Sequence, residues 1–377
     1  MSKIRAILIG LSFSIPLFLG TACGDDWNTE ENSSKPRASG DIGEIILVMD
    51  SALFHGPVGD AVRGVFEDDI QGLVRQEKIF NLRRVDPESM NRVLKRAPNI
   101  VYVTTFDGTT PGSRIINRQF NQTSKEMAEE DPKLFMLRIE NEFARGQEVL
   151  YLFGNNEEQL IQNLRANKNK LQNFYVVRER NRLGDGILRR TNSAVKVKGR
   201  EKFGIEINVP ASYQFVQEDE SFLWLRQPTP TTDRADISLF FYQTDYVSEE
   251  QVFPENILAL RNEITKSRVF GDPANRNSYT EIQEQAPPHF RNIDINGHYG
   301  IEVRGQWRTH NLSMGGSFLS YVVVDEANGR LYYMDGFIYY PNEEHRAALR
   351  EIETILLATE FPSSSDEAKA VDTTQSD

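Results

Sequence analysis

The sequence predicts an α+β protein, and three observations support that prediction. The first half alternates short apolar runs with amphipathic segments, the second half consists mostly of strand-like runs, and one helical segment closes the chain. Alternating strands and helices are typical of an α/β layer, whereas successive strands indicate an antiparallel sheet with helices packed against it. We therefore expect an α/β-type part over 42–198 and an α+β part with the order β-β-β-α-β-β-β-α over 199–361.

The elements of the first half are predicted from the spacing of its apolar residues. Continuous β-branched runs indicate buried strands, and apolar residues that recur every three or four positions indicate helices. Pro57 suits the first turn of a helix, and Asn155 or Asn156 can cap another. The predicted strands are Glu44–Asp50, Asn99–Phe106 and Gln147–Gly154, and the predicted helices are Pro57–Val74, Arg118–Phe143 with a break near Asp131, and Asn155–Tyr175.

The second half is predicted to be a series of strands interrupted by one helix. Ile205 and Ile207 alternate with polar residues, which indicates a half-exposed strand. Asn328-Gly329 between two apolar runs is a strong hairpin signal, and Asn342 is expected to cap the last helix. The predicted strands are Phe203–Pro210, Ser221–Gln227, Asp236–Tyr246, Gly297–Asn311, Ser317–Glu326 and Gly329–Pro341, and the predicted helices are Glu255–Ser267 and Asn342–Phe361.

Residues 1–22 have the layout of an export signal. Lys3 and Arg5 precede an apolar run of about 14 residues, shorter than the roughly 20 that a membrane-spanning helix needs. Small residues then lead to Cys23, the single cysteine of the chain. The layout resembles a bacterial lipoprotein signal, although Gly20 stands where that signal prefers leucine. The alternative is an ordinary secretory signal in which Cys23 has no role.

The lipoprotein resemblance implies cleavage before Cys23 and attachment of acyl chains such as palmitate to its thiol, which would anchor the chain in a membrane. The polar residues that follow, over 23–41, are expected to be a disordered tether, and residues 362–377 a disordered tail. The acidic pair Asp25-Asp26 resembles the surface-export signal of Bacteroidota lipoproteins. We therefore expect a lipid-anchored protein of the bacterial cell envelope, in the outer membrane, on its periplasmic or surface face.

The charge balance restricts the partners. The chain carries a net charge of −12, which becomes −14 when residues 1–22 are removed with Lys3 and Arg5. An acidic protein is repelled by phosphate backbones, so nucleic acid is not expected as a partner. The expected contact with membrane is through the lipid anchor only, and the expected macromolecular partner is an envelope protein.

The segment RGQWRTHNLSMGGSFLSYVVVDEANGRLYYMDGFIYYP, Arg304–Pro341, has a distinctive pattern. With LFHGPVGDAVRGVF and INVPASYQF, it resembles a family of Bacteroidota lipoproteins that carry a domain of unknown function. Gln306 and Ser317 depart from the leucine and proline of the family pattern. The matching positions are Arg304, Gly305, Trp307, Met314, Gly315, Gly316, Phe318, Gly336, Phe337 and Pro341. The resemblance implies an envelope location and brings no catalytic residues. The element order of the second half is also similar to that of Mog1/PsbP-like sandwiches.

One region is the best sequence candidate for a binding surface. Alternation places Gly305 and Trp307 on one face of a strand and Arg304 on the other. The candidate residues are Arg304, Trp307, His310, Asn311, Gly315 and Gly316. Alternatively, these residues have structural roles: Trp307 anchors the core, the glycines shape a hairpin, and Arg304 forms a cross-strand salt bridge.

Other motifs give weaker indications. His55, His289, His298, His310 and His345 show no metal-binding spacing, so no metal, cofactor or catalytic residue is assigned. The run FHGPVGD either holds an anion at a helix N-terminus or is a tight strand-to-helix connection, which we favour.

The expected function is a non-enzymatic module that binds a protein or peptide. Two alternatives stay open. A cell-wall or glycan-acting enzyme would need Glu302, His310, Asp325 and Asp335 to converge, with carboxyl groups about 5–9 Å apart. A small-ligand carrier would need a closed apolar cavity beside Trp307.

Overall fold

The computed structural model describes residues 34–227, 229 and 233–361. The predicted α+β class is confirmed, because the described chain folds into a mixed, mainly parallel sheet followed by an antiparallel one. The strands are β1 Glu44–Met49, β2 Asn81–Val85, β3 Asn99–Thr105, β4 Met136–Glu140, β5 Glu148–Gly154, β6 Gln214–Glu218, β7 Phe222–Gln227, β8 Asp236–Asp245, β9 Phe270–Asp272, β10 Asn275–Ile282, β11 His289–Ile295, β12 His298–Thr309, β13 Gly315–Asp325 and β14 Arg330–Tyr339.

Helices connect and cover these strands. The α-helices are α1 Ser51–Phe54, α2 Pro57–Phe66, α3 Pro111–Asn117, α4 Gln122–Glu130, α5 Glu157–Ala166, α6 Lys168–Ile187, α7 Ser193–Lys198, α8 Pro254–Arg268 and α9 Arg346–Leu356. Short 3₁₀ turns cover Pro87–Ser89, Leu94–Arg96 and Glu249–Val252, and a π-helical turn covers Gly199–Phe203.

The first half is built on a five-stranded sheet in the order β2-β1-β3-β5-β4. Its strands are parallel except for β4, which pairs antiparallel at the edge. Every residue of β3 and β5 is buried. Central parallel strands lie between two apolar layers, which explains why both read as continuous apolar runs.

The second half is built on a nine-stranded antiparallel sheet, in the order β6-β7-β8-β14-β13-β12-β10-β9 with β11 also paired to β12. Alternate residues of β13 enter different cores. Leu319 and Tyr321 pack in a cluster with α9, whereas Phe318 and Val322 pack in a cluster with α8. The sheet is therefore covered by a helix on each face.

A segment of the first half completes the second. Ile70 and Leu73 belong to the core cluster under α9. The carboxylate of Glu77 accepts hydrogen bonds from the backbone N–H groups of His345 and Arg346, at 2.7 and 2.8 Å, and so caps the start of α9. The two halves are thus joined by a shared core and by a helix cap.

Several predicted elements are confirmed. The structure contains β1, β3, β5, β7, β8, β12, β13, β14 and α8 close to their predicted positions. The hairpin at Asn328-Gly329 joins β13 to β14, with Gly329 at a φ of +60°. The strands that face the cores were therefore predicted correctly from their continuous or alternating apolar residues.

The helix predicted for Pro57–Val74 ends early, at Phe66. The chain leaves the helix there because Ile70 and Leu73 pack on the second half, and Gly72 turns it with a φ of +81°. The helix predicted for Arg118–Phe143 is also wrong in its second part, where Met136–Glu140 forms the edge strand β4.

Two predictions in the second half are wrong. Phe203–Pro210 is not a strand, although Ile205 and Ile207 are buried as their alternation indicates. Its strand-like contacts are two isolated bridges, Glu206 with Glu360 and Pro210 with Thr191. Asn342 does not cap the last helix, because it adopts a φ of +68° and α9 starts four residues later. Glu77 supplies the cap instead.

The expected leader over residues 1–22, Cys23 and the expected tail over 362–377 lie outside the described residues. Of the expected tether, residues 34–41 are described. Arg37 forms a parallel bridge with Arg145, and the N–H of Ala38 donates to the carbonyl of Arg145 at 2.9 Å. Residues 37 and 38 are therefore held against the first half.

Candidate functional site

A cleft lies between the two halves, and we call it the central cleft. Its walls are α6 and residues 68–71 from the first half, and β11, β12 and α9 from the second. Its volume is about 1050 Å³. A cleft of this size can accommodate a peptide segment or a ligand of similar bulk.

Helix α6 presents one face to this cleft. Lys170, Val177 and Arg180 lie on the cleft wall, and their spacing of seven and three residues places them on one side of the helix. Leu171 and Tyr175 point into the core of the first half. The helix therefore anchors itself by its apolar side and leaves a polar, cationic side to the cleft.

The opposite wall is a chain of alternating charges. Glu302 accepts hydrogen bonds from Arg291 and from Arg304, each at 2.8 Å. Glu353 accepts from Arg304 at 2.8 Å and from Arg350 at 2.6 Å. Two carboxylates and three guanidinium groups are thus linked from β11 through β12 to α9.

This chain keeps its members charged. Burial alone would raise the pKa of Glu353, but the charges of Arg350 and Arg304 outweigh burial and lower it to about 2. Burial likewise opposes ionisation of Glu302, and the charges of Arg304 and Arg291 lower its pKa. Burial would lower the pKa of Arg304, but Glu302 and Glu353 raise it. Glu302, Arg304 and Glu353 are therefore charged at neutral pH.

Each carboxylate that lines the central cleft is already engaged within the described residues. An incoming cation would have to compete with a partner that is already in place. The engaged pairs are Asp68 with Lys168 at 2.7 Å, Asp69 with Lys78 at 2.6 Å, Asp294 with the Gly297 amide at 3.1 Å, and Glu302 and Glu353 with their arginines.

Some cationic groups of the cleft are not engaged. Over residues 34–227, 229 and 233–361, Arg180 and Lys170 make no hydrogen bond and no ion pair. The charge of Arg180 still helps to lower the pKa of Glu353, so it lies close to the charged wall. In the same part of the chain, Arg350 Nε is buried without a hydrogen-bond partner, 3.8 Å from Glu179 Oε2, which also has none. Arg180 and Lys170 thus leave side-chain donors on the cleft wall for an anionic group.

Arg304 and Trp307, two of the predicted site residues, do not meet in one pocket. Arg304 faces the central cleft, whereas Trp307 is 3% exposed on the other face of the sheet. The Trp307 indole N–H donates to the carbonyl of Ile338 at 3.1 Å, and its ring packs against Phe337. Trp307 therefore anchors the core on the face of the sheet that carries α8.

The other predicted site residues are also dispersed. His310 stacks on Tyr279 with ring centroids 4.7 Å apart and is largely exposed, as is Asn311. Gly315 and Gly316 lie in β13 rather than in the hairpin loop predicted as the structural alternative. A side chain at Gly316 would overlap the carbonyl oxygen of Ile338, so close backbone approach explains this glycine.

The residues required by the enzyme hypothesis do not converge. Glu302 pairs across the sheet with Tyr321, and Asp335 pairs with Ser320. Because Tyr321 and Ser320 are consecutive in one strand, Glu302 and Asp335 point to opposite faces of the sheet. Asp325 accepts from the Asn328 N–H at 3.2 Å in the hairpin turn. That arrangement cannot form a pair of catalytic carboxylates.

The run FHGPVGD is a tight strand-to-helix connection, as we favoured. The carboxylate of Asp50 accepts from the N–H of Ala52 at 2.9 Å at the start of α1. A side chain at Gly59 would overlap the carbonyl of Phe54. The glycine therefore serves the packing of α1 against α2.

Sequence reasoning identified Arg304 and missed most of the cleft. Arg180, Arg350 and Glu353 belong to helices that are far apart in the chain. Arg350 and Glu353 could have been identified as charged residues on the apolar side of the last helix, a position where charges are rare. In the structure they are 6% and 3% exposed within α9.

Among the described residues, no group of three or more His, Cys, Asp and Glu side chains is arranged to hold a metal ion. Across the same residues, no helix has the length and apolar character that crossing a membrane requires.

Two family models match the chain. Residues 191–358 match the domain of unknown function DUF4837, and residues 38–187 match the domain of unknown function DUF8532. No curated protein matches the chain. Each match covers one of the two halves.

Three solved structures are distantly similar. A protein from Bacteroides thetaiotaomicron VPI-5482 is 7% identical over 43% of this chain and 46% of its own, with a TM-score of 0.25. The protein Mog1, in a mutant form, is 8% identical over 43% of this chain and 92% of its own, with a TM-score of 0.28. PA94 from Pseudomonas aeruginosa, a protein of unknown function and putative regulator, is 12% identical over 38% of this chain and 94% of its own, with a TM-score of 0.23. The chain thus spans less than half of the Bacteroides protein.

Proposed function

We propose that the chain is an envelope lipoprotein that binds a protein or peptide partner in the central cleft. The observation that carries this proposal is the cleft itself, about 1050 Å³ between the two halves, with Arg180 on its wall making no hydrogen bond or ion pair among the described residues. A concave site with a few uncommitted polar groups is the usual form of a binding site.

The walls of the cleft favour binding over chemistry. Arg291, Arg304 and Arg350 neutralise the buried carboxylates Glu302 and Glu353 and lower their pKa. A general acid at neutral pH needs a raised pKa, so these groups suit a fixed electrostatic surface better than proton transfer.

The location is proposed from the leader. Lys3, Arg5, the apolar run and Cys23 support lipid attachment, and the acidic pair after Cys23 supports export to the outer membrane, on its periplasmic or surface face. Mass spectrometry of the N-terminal peptide from native membranes tests this part. We expect an acylated Cys23, and release of a Cys23→Ala variant into the soluble fraction. An unmodified Cys23 would contradict the lipid anchor but would not bear on the proposal that the central cleft binds a partner.

Site-specific crosslinking tests the binding part. A photoreactive amino acid at Val177, on the cleft wall, is compared with one at Met127, which is 53% exposed outside the cleft. In intact envelopes we expect one defined crosslinked partner at Val177, absent at Met127 and reduced by Arg180→Gln. Equal crosslinking at both positions, or none at Val177, would refute binding in the cleft.

A further inference from the structure

We propose that the ligand of the central cleft is an extended acidic peptide, which adds as a strand to the free edge of β11 and is held by Arg180. This inference rests on the binding function proposed above and names the chemistry of its ligand.

Strand β11 has a free edge. Among the described residues it pairs with β12 alone, through the tight hairpin at Asn296-Gly297, where both residues have positive φ values of +53° and +85°. In a two-residue hairpin of this kind, Ile295 and His298 exchange backbone hydrogen bonds across the turn. Alternate residues of β11 therefore point their N–H and C=O groups away from β12. Those residues are Phe290, Asn292 and Asp294.

No other backbone hydrogen bond satisfies these outward groups within the described residues. An unpaired edge of this kind is a template for a further strand. All but one of the residues of β11 line the central cleft. At about 3.3 Å per residue the strand offers roughly 20 Å of edge, enough for six or seven residues of an extended peptide.

The groove also continues past the start of β11. A second hollow of about 350 Å³ shares Asp69, Ile70, Gln71 and His289 with the central cleft and extends along residues 69–76. An elongated path along a strand edge fits an extended chain better than a compact small molecule.

Charge selects the type of peptide. The mature chain has a net charge of −14, yet Arg180 and Lys170 on the cleft wall make no hydrogen bond or ion pair, while each carboxylate of the cleft accepts a hydrogen bond or pairs with a cation within the described residues. An acidic side chain on the added strand would meet cations that make no hydrogen bond or ion pair, whereas a basic one would meet carboxylates that already accept hydrogen bonds. Arg180 is the better donor, because it is half-buried while Lys170 is exposed.

Fluorescent decapeptides test this inference on the purified full-length mature chain. The probes are an alternating Val–Glu peptide, a Val–Lys peptide, and a Val–Glu peptide with every backbone amide N-methylated, which keeps its charge and has no backbone N–H to donate to a strand edge. Fluorescence anisotropy measures their affinities at fixed ionic strength. We expect the plain Val–Glu peptide to bind at least tenfold more tightly than either of the others.

Matched variants locate the contact. We expect Arg180→Gln to weaken binding of the Val–Glu peptide about tenfold, and Arg189→Gln, the same charge change on an exposed residue outside the cleft, to leave it unchanged. Asn292→Pro removes one outward N–H without touching the bonds to β12 and should weaken binding by a similar factor. Circular dichroism verifies that each variant is folded.

The outcomes separate the two proposals. Equal binding of the N-methylated peptide overturns strand addition, and equal binding of the Val–Lys peptide overturns the acidic preference. Either result leaves the proposed binding function standing if the crosslink at Val177 is observed. Absence of peptide binding, together with that crosslink, overturns this inference alone, and absence of both overturns the function as well.

Discussion

Replacing Glu353 with glutamine removes a charge from the ionised wall of the central cleft, and we expect a large loss of stability. Glu353 is 3% exposed and accepts from Arg304 and Arg350 at 2.8 and 2.6 Å. Glutamine keeps the shape and removes the charge. Arg304 retains Glu302 after the change, but Arg350 is left 3.8 Å from Glu179.

The magnitude follows from the pKa. The carboxyl of Glu353 has a pKa of about 2 in the folded protein, against an ordinary value of 4.5. That difference corresponds to about 3 kcal/mol of unfolding free energy at neutral pH. Removing one partner from a buried ion pair costs about 3–5 kcal/mol in other proteins, which agrees with this value.

The sign of the pH dependence is fixed by the same difference. The folded pKa lies below the unfolded one, so this contribution is complete above about pH 4.5 and is lost as the pH falls towards 2. Glu302, whose pKa is also lowered, adds a loss in the same direction. The Glu353→Gln variant lacks the first contribution, so its stability should fall less steeply with acid than that of the wild type.

Urea unfolding followed by circular dichroism at pH 7, 5, 4 and 3 measures both effects. Glu343→Gln, the same change at an exposed residue three positions before α9, is the control, and we expect it to change the unfolding free energy by less than about 0.5 kcal/mol. The reasoning is refuted if Glu353→Gln is as stable as that control at pH 7, or if its acid dependence equals that of the wild type.

Three further changes test packing and the joint between the halves by thermal or urea unfolding. Gly316→Ala should destabilise the protein by more than about 2 kcal/mol, because its Cβ would overlap a carbonyl oxygen. The control is Gly186→Ala, in α6 with open space around it, which should be neutral or stabilise by up to about 1 kcal/mol. Equal effects of the two substitutions would refute the steric argument. Glu77→Gln weakens the cap of α9 and should lower the free energy of unfolding by about 1–3 kcal/mol. An unchanged unfolding midpoint would refute the capping role of Glu77. Arg261→Met leaves Asp335, fully buried, without its 2.8 Å partner and should cost about 3–5 kcal/mol, with wild-type stability as the contrary result.

The sequence predicted best the strands that face a core on both sides. Strands β3, β5, β13 and β14 are buried along almost their whole length, so burial required continuous apolar runs that are visible without a structure. Strands β9, β10 and β11 were missed because they lie at or near an edge and carry mostly polar residues such as those of NRNSYTEI. Their strand conformation depends on pairing with β12 rather than on their own composition.

The candidate site could be predicted only in part for a related reason. The placement of Glu302 and Arg304 on one face of a strand follows from local alternation, and the hydrogen bond between their side chains confirms it. Their meeting with Glu353 and Arg180 depends on how two helices pack against the sheet, which no local pattern encodes. The cap of α9 shows the same limit, because Asn342 is the obvious local candidate and Glu77, 268 residues before His345, takes the role.

The segment that carries Ile70, Leu73 and Glu77 has a consequence for how the chain can be divided. The match that covers the second half begins at residue 191, after this segment. A fragment cut there would expose the apolar surface that Ile70 and Leu73 cover and would leave the first N–H groups of α9 unpaired. We expect such a fragment to aggregate, and the first half supplied in trans to restore its solubility. We therefore expect the two matched regions to unfold together, as one cooperative unit.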